Sequence, residues 1–179
     1  MFQVLAQMLE LHSGGVPAEY RGLLPLLLTP TAWTQKGSVP GLVKLLKAFL
    51  ARDAKAMCEA GQLNQVLGVV QQRLIPSKVN DGWGFEILQA VAQYVPVYVL
   101  LVLLFALGGE ALMLSRGHRE QLKANFRGII ITLLTRMQTS KTDRFVYYLV
   151  YYLSFCLAID VNGLTPDYIV GEVEGIQSG

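Results

Sequence analysis

Apolar side chains recur along this chain with the 3.6-residue period of an α-helix, and no segment carries a convincing two-residue alternation. Between Gln62 and Ile75, Leu63, Val66, Leu67, Val70 and Leu74 fall at i, i+3, i+4, i+7 and i+11, one face of a helix. Leu42, Leu45, Leu46, Phe49 and Leu50 repeat the face after Ser38, a suitable N-cap, and Pro40. It recurs in Phe85, Leu88, Val91 and Val95 after "NDGWG", and in Leu122, Phe126, Ile129, Leu133 and Met137. A fifth run, "RFVYYLVYYLSFCLAID", follows Ser140 to Asp143, which has the form of a capping box with Asp in the place of Glu. Tyr147, Tyr148, Tyr151 and Tyr152 cover a broad side of that helix and are expected to fill the space between neighbouring helices.

Short turn-rich breaks, "SGGVPAEY", "TQKGSVPG", "SKVNDGWG", "MQTSKTD" and "VNGLTP", separate these runs. The pattern predicts an all-α chain. A four-helix bundle and a solenoid both fit it. Six or more helices with wide apolar stripes favour a HEAT/armadillo-type α-α superhelix, because a helix in a stacked array packs on its partner and on the next repeat. Units of about 40 residues give roughly four helix pairs.

Composition sharpens this picture. The chain has 179 residues, 53% of them apolar and 16% charged, with a mean hydropathy of +0.40. That is less charge than the roughly 25% of an average soluble domain, so much of the chain must be buried. A net charge of +2 gives no reason to expect nucleic acid. Arg116, Arg119, Lys123, Arg127, Arg136, Lys141 and Arg144 concentrate positive charge before the tyrosine-rich run, whereas the stretch after Arg144 holds acids and no Lys or Arg. Cys58 and Cys156 stand far apart in apolar company and read as buried thiols of a reducing compartment rather than a disulfide. The opening "MFQVLAQMLELHS" lacks the basic flank of a signal peptide.

The inventory for chemistry is thin. His12 and His118 lack a partner at ligand spacing, no phosphate-binding glycine motif or GxSxG occurs, and no serine or cysteine has an activating His nearby. Neither enzyme activity, nor a metal, nor a cofactor is expected. The candidate functional residues are instead Lys44 and Lys47, on the polar side of their helix with Arg52 and Lys55 beyond its end, and Arg136, Lys141 and Arg144 around the turn that opens the last apolar run. Such cations form either an ordinary solvated face or a strip that docks an acidic protein partner.

Three segments in order carry a resemblance. "LLTPTAWTQKGSVPGLVKLLKAFLARDA" keeps Pro30, Trp33, Gly37 and Pro40 before its helix, and "LLTRMQTSKTDRFVYYLVYYLSFCLAI" keeps Arg136, Gln138 and "SKTDRF". With "LGVVQQRLIPSKVNDGWGFEILQAVAQYVP" between them, they resemble consecutive repeats of the cellular apoptosis susceptibility family, the karyopherin-β exportins. The resemblance implies a HEAT solenoid that shuttles between nucleus and cytoplasm and binds importin-α and Ran-GTP together, its own chain matching about a fifth of a full-length member, in the C-terminal half. The remaining repeats of the parent solenoid are then also partners of this segment.

"VPVYVLLVLLFALGGEALMLS" stands apart. As a membrane span its apolar run from Tyr94 to Leu107 reaches about 21 Å, short of the roughly 30 Å of bilayer hydrocarbon, and extension to Leu114 takes in Glu110. A small helical membrane protein built on Tyr94–Leu114 and Phe145–Ile159 is therefore the alternative reading. The leading one divides the chain into HEAT-like repeats over 1–96, an apolar insertion over 97–119 of the kind a translated intron leaves, and repeats again over 120–179. Transcripts are expected to lack codons 97–119. Retained codons in transcript reads, together with a purified chain containing them that folds as a stable monomer, contradict the insertion.

Overall fold

The computed structural model describes residues 1–105, 110–139, 142–158 and 165–178, with side chains except at 36, 96–105, 110–123, 125 and 177. Among the described residues there are helices and turns but no strands. The α-helices are α1 (Phe2–Leu11), α2 (Ala18–Arg21), α3 (Leu24–Leu27), α4 (Val39–Glu59), α5 (Gln62–Val69), α6 (Asp81–Phe105), α7 (Glu110–Thr139), α8 (Asp143–Ala158) and α9 (Pro166–Gln177). Contacts group the chain into two units, Met1–Tyr94 and Val95–Gly179.

In the first unit α4 is enclosed. Val39, Leu42, Val43, Leu45, Leu46, Ala48, Phe49 and Leu50 are all buried, far more than one stripe. The width follows from its neighbours, since α1, α3 and α5 all pack on it. Burying each large side chain favours folding by about 1.5–3 kcal/mol, so this one helix organises the unit. A Cβ added at Gly41 would lie 3.0 Å from the Cβ of Phe2, and the Arg52 guanidinium donates to the carbonyls of Glu10 and, at 3.2 Å, Gly14. The start of α1 therefore meets the start of α4, and its end meets Arg52. The two helices run in the same direction, with residues 12–38 making the return. Within that return Trp33 is buried and its Nε1 donates to the Leu27 carbonyl at 2.8 Å, satisfying a carbonyl that the end of α3 leaves without a helical partner.

The helix of Leu42 to Leu50 does not end before Arg52 and Lys55, as the pattern suggested. It kinks at Asp53 (φ −142°, ψ 33°) and resumes to Glu59. The second segment buries Ala54, Met57 and Cys58, a new i, i+3, i+4 face. Asp53 pairs with Arg21 at 3.5 Å, and Arg21 Nε donates to the Val16 carbonyl at 3.3 Å. Ser38 precedes α4 and Pro40 lies in its first turn, but the serine side chain makes no cap hydrogen bond.

Gly61, at φ +67°, makes the left-handed turn between α4 and α5 that other residues adopt poorly. All five residues of the expected stripe from Leu63 to Leu74 are buried. The end of that stripe lies in a π-helical turn, Val70–Leu74. A Cβ on Gly84 would meet Ile75 Cδ1 at 2.9 Å and Leu74 Cβ at 3.2 Å, so glycine lets the first turn of α6 approach this turn closely. Asp81 opens α6 and is buried, its Oδ1 accepting from the Gly82 amide at 2.8 Å.

In the second unit α7 contributes Phe126, Ile129, Ile130 and Leu133, α8 contributes Phe145, Leu149, Tyr152 and Cys156, and α9 contributes Ile169 to the core. Thr142 caps α8, its Oγ1 accepting from the Phe145 amide at 3.2 Å. Ser140 lies outside the described residues. Thr165 caps α9 in the same way through the Tyr168 amide at 3.3 Å. The tyrosines also depart from expectation. Only Tyr152 is buried, while Tyr147 and Tyr151 are 66% and 53% exposed and stack on one another with centroids 6.4 Å apart. Their i, i+4 spacing sets them on the side of α8 away from Phe145, Leu149 and Cys156.

Around the proposed insertion α6 runs on to Phe105 and α7 begins at Glu110, while 106–109 lie outside the described residues. Among the described residues no helix is long and apolar enough to cross a membrane; residues 106–109 of the Tyr94–Leu114 segment and Ile159 of the Phe145–Ile159 segment lie outside them.

Replacing Trp33 by Phe keeps the ring but leaves a buried carbonyl without its donor. The expected cost is about 1–3 kcal/mol, read as a lower urea midpoint with an unchanged slope. An unchanged midpoint contradicts this role.

Candidate partner-docking surface

Three helices of the first unit converge on one polar cleft of about 400 Å³. From α1 come Gln3, Gln7 and Glu10, spaced i, i+4 and i+7 as a polar stripe, with Ala6 beside them. From α4 come Lys44 and Lys47, the breaks in its otherwise buried middle, and from α6 comes Glu86.

Lys47 Nζ donates to Glu86 Oε2 at 2.8 Å, and both side chains stay about 40% exposed (37% and 41%). This charge-assisted bond ties α4 to α6 across the cleft wall. Lys44 is exposed one turn away, and among the described residues no carboxylate lies within ion-pair reach of it. Glu10 is exposed as well. Its main-chain carbonyl is engaged by Arg52, and the residue lines the cleft.

The cationic residues expected to dock partners thus part company. Lys44 and Lys47 share one cleft. Arg136 is 7% exposed, with its guanidinium 5.2 Å above the Phe145 ring. There it joins α7 to α8 and is removed from any surface strip, because its position faces the same core as Leu133 and Ile129. Arg144 is exposed in the first turn of α8, over the Tyr148 ring at 5.9 Å. Lys141 lies outside the described residues. Arg52, read from sequence as a surface charge, instead closes the end of α1. Sequence reasoning passed over Glu86, Gln3, Gln7 and Glu10. The stripe on α1 was legible from its spacing, but the pairing of Lys47 with a residue 39 positions away was not.

The two cysteines are buried and free. Burial pushes each thiol up to about 11, assisted at Cys58 by the Glu59 carboxylate and moderated at Cys156 by a hydrogen bond with Tyr152. A thiol so protonated is a poor nucleophile near neutral pH. Among the described residues no cluster of His, Cys, Asp and Glu could hold a metal ion.

A double-mutant cycle of Lys47→Ala and Glu86→Ala is expected to give a coupling of about 0.2–1 kcal/mol, the range for partly exposed pairs, weakening with added salt. Zero coupling at low salt contradicts the pairing.

Comparison with known proteins adds to this geometry. The sequence profile of the family described as CAS/CSE protein, C-terminus, matches residues 1–106. The chain is 35% identical over 160 residues to Exportin-2 of Xenopus laevis, an alignment covering 88% of this chain and 14% of that protein. It is 34% identical over 148 residues to Exportin-2 of Danio rerio (82% and 13%) and 32% identical over 160 residues to that of Homo sapiens (88% and 14%). Among solved structures it resembles the exportin Cse1 in its cargo-free, cytoplasmic state, with TM-score 0.72 and 28% identity, over 99% of this chain and 16% of that one. The fold class is accordingly the all-α HEAT-type array expected from the helix pattern, and the chain spans a small part of the length of the relatives it matches.

Proposed function

Because the chain belongs to the CAS/CSE family, we propose that it is a section of a nuclear export receptor, working in a longer solenoid that carries importin-α to the cytoplasm together with Ran-GTP. The observation that carries this reading is the likeness to an exportin over 99% of the chain. Helix after helix is spent on packing, and Lys44, Lys47, Glu86 and the polar side chains of α1 line one cleft, an arrangement suited to holding a protein.

Binding by such an array is coupled. A stack of helix pairs changes curvature through small adjustments at each interface, so two ligands that favour the same curvature strengthen one another, typically 5–150-fold. The receptor would load where Ran is in its GTP form and release on hydrolysis, passing between nucleus and cytoplasm. In this scheme the cleft of Lys44, Lys47 and Glu86 belongs to the protein-binding face, and Arg144 with Lys141 adds a basic edge at the start of α8.

The test restores the missing repeats. This chain, with residues 97–119 excised, replaces the matching section of an Exportin-2 relative, and importin-α is captured with Ran loaded with GTP or GDP. At least fivefold more importin-α is expected with the GTP form. Equal capture in both forms, or none where the unsubstituted relative succeeds, contradicts the proposal.

A further inference from the structure

The cleft formed by α1, α4 and α6 carries a charge pattern that defines what fits it. Gly41 beside Phe2 and Arg52 beside Glu10 set the register of two helices that run in the same direction. Between these anchor points Lys44 falls nearer the Gln3 end and Glu10 marks the other. Lys47 and Glu86 lie in the wall and neutralise one another at 2.8 Å. What remains for a visitor is an exposed cation and an exposed anion, with the amide of Gln7 between their levels and that of Gln3 beyond Lys44.

We propose that this cleft is a docking site for a helical partner segment of mixed charge, setting an acidic side chain against Lys44 and a basic one against Glu10. The proposal rests on the reading of the chain as part of a protein-binding receptor, and it adds the chemistry of the bound segment. A purely acidic segment gains Lys44 but meets Glu10, and a purely basic one gains Glu10 but meets Lys44. Only a segment with both signs satisfies the two ends. The spacing is set by the register. Lys44 lies near the level of Ala6, and four residues from Ala6 to Glu10 advance about 6 Å along α1. Acid and base at i and i+4 on a docked helix are separated by the same axial distance. The pair Lys47–Glu86 shows the bond that a partner carboxylate would make with Lys44, one turn away on the same helix. Since both ends are exposed, docking should be fast to form and should weaken with salt.

The test uses the 179-residue chain and three fluorescein-labelled peptides: three repeats of Glu-Ala-Ala-Ala-Lys, and versions with all charged positions Glu or all Lys. Fluorescence anisotropy at low salt is expected to show binding of the mixed peptide at least about tenfold tighter than either control. Lys44→Glu and Glu10→Lys each lower that affinity by about tenfold, and the double reversal restores it with the peptide in the opposite direction. Circular dichroism confirms that the variants keep the helix content of the parent. No binding of the mixed peptide, equal or tighter binding of the all-Glu or all-Lys peptide, or single reversals that change affinity by less than twofold overturn the proposal. Peptide binding intact in a chain whose restored receptor ignores Ran-GTP would remove the export reading and leave this site standing.

Discussion

The burial of α4 on nearly every side is the constraint from which the order of the first unit follows. From Val39 to Leu50 this helix gives up solvent everywhere except at Lys44 and, in part, at Pro40 and Lys47. A helix apolar almost all round is unstable alone and must be enclosed. Enclosure brings α1 to one flank and α5 to another, and it obliges the chain between α1 and α4 to turn back through α2, α3 and the Trp33 turn. The polar positions that remain on α4 are thereby forced into the narrow opening left by its neighbours. The cleft is a consequence of the packing rather than an addition to it.

The devices that hold the enclosure are small and local. Arg52 closes the end of α1 from a position just before the kink at Asp53, and Asp53 holds Arg21 from the kink itself. One departure from helical geometry thus aims two adjacent side chains at two different segments. Gly41 and Gly84 allow close approach where any larger side chain would have to displace a neighbour. In the second unit Arg136 against Phe145 and Arg127 against Glu172, 3.5 Å apart, use charged side chains to tie α7 to α8 and α9. Basic residues in this chain are therefore divided between structure and surface, and their counts alone do not separate the two.

The buried stripes of α4, α5 and α6 were legible from period alone because each faces the core of one unit. The stripe from Leu63 to Leu74 appears as expected, and the family resemblance rested on residues such as Trp33 whose packing role the fold explains. What periodicity could not supply was anything decided between helices. The continuation of α4 past Asp53 rests on a second buried face, Ala54, Met57 and Cys58, that packs only in the folded unit. The capping of α8 by Thr142 depended on its hydroxyl reaching the Phe145 amide. The exposure of Tyr147 and Tyr151 depended on which side of α8 meets α7. Of the candidate docking residues, Lys44 and Lys47 could be placed on a polar face in advance, whereas the interior position of Arg136 could not, because a guanidinium lying over an aromatic ring looks in sequence like any other surface charge.

Residue-resolved amide hydrogen exchange on the intact chain probes the enclosure of α4 most directly. The amides from Leu42 to Leu50 should be the slowest in the first unit, and those of Ala6 and Leu9 in α1 should exchange with them as one cooperative group, since neither helix can be exposed without the other. Exchange of α1 at the rate of a frayed end, with α4 still fully protected, would show that α4 does not depend on α1 and would contradict the account.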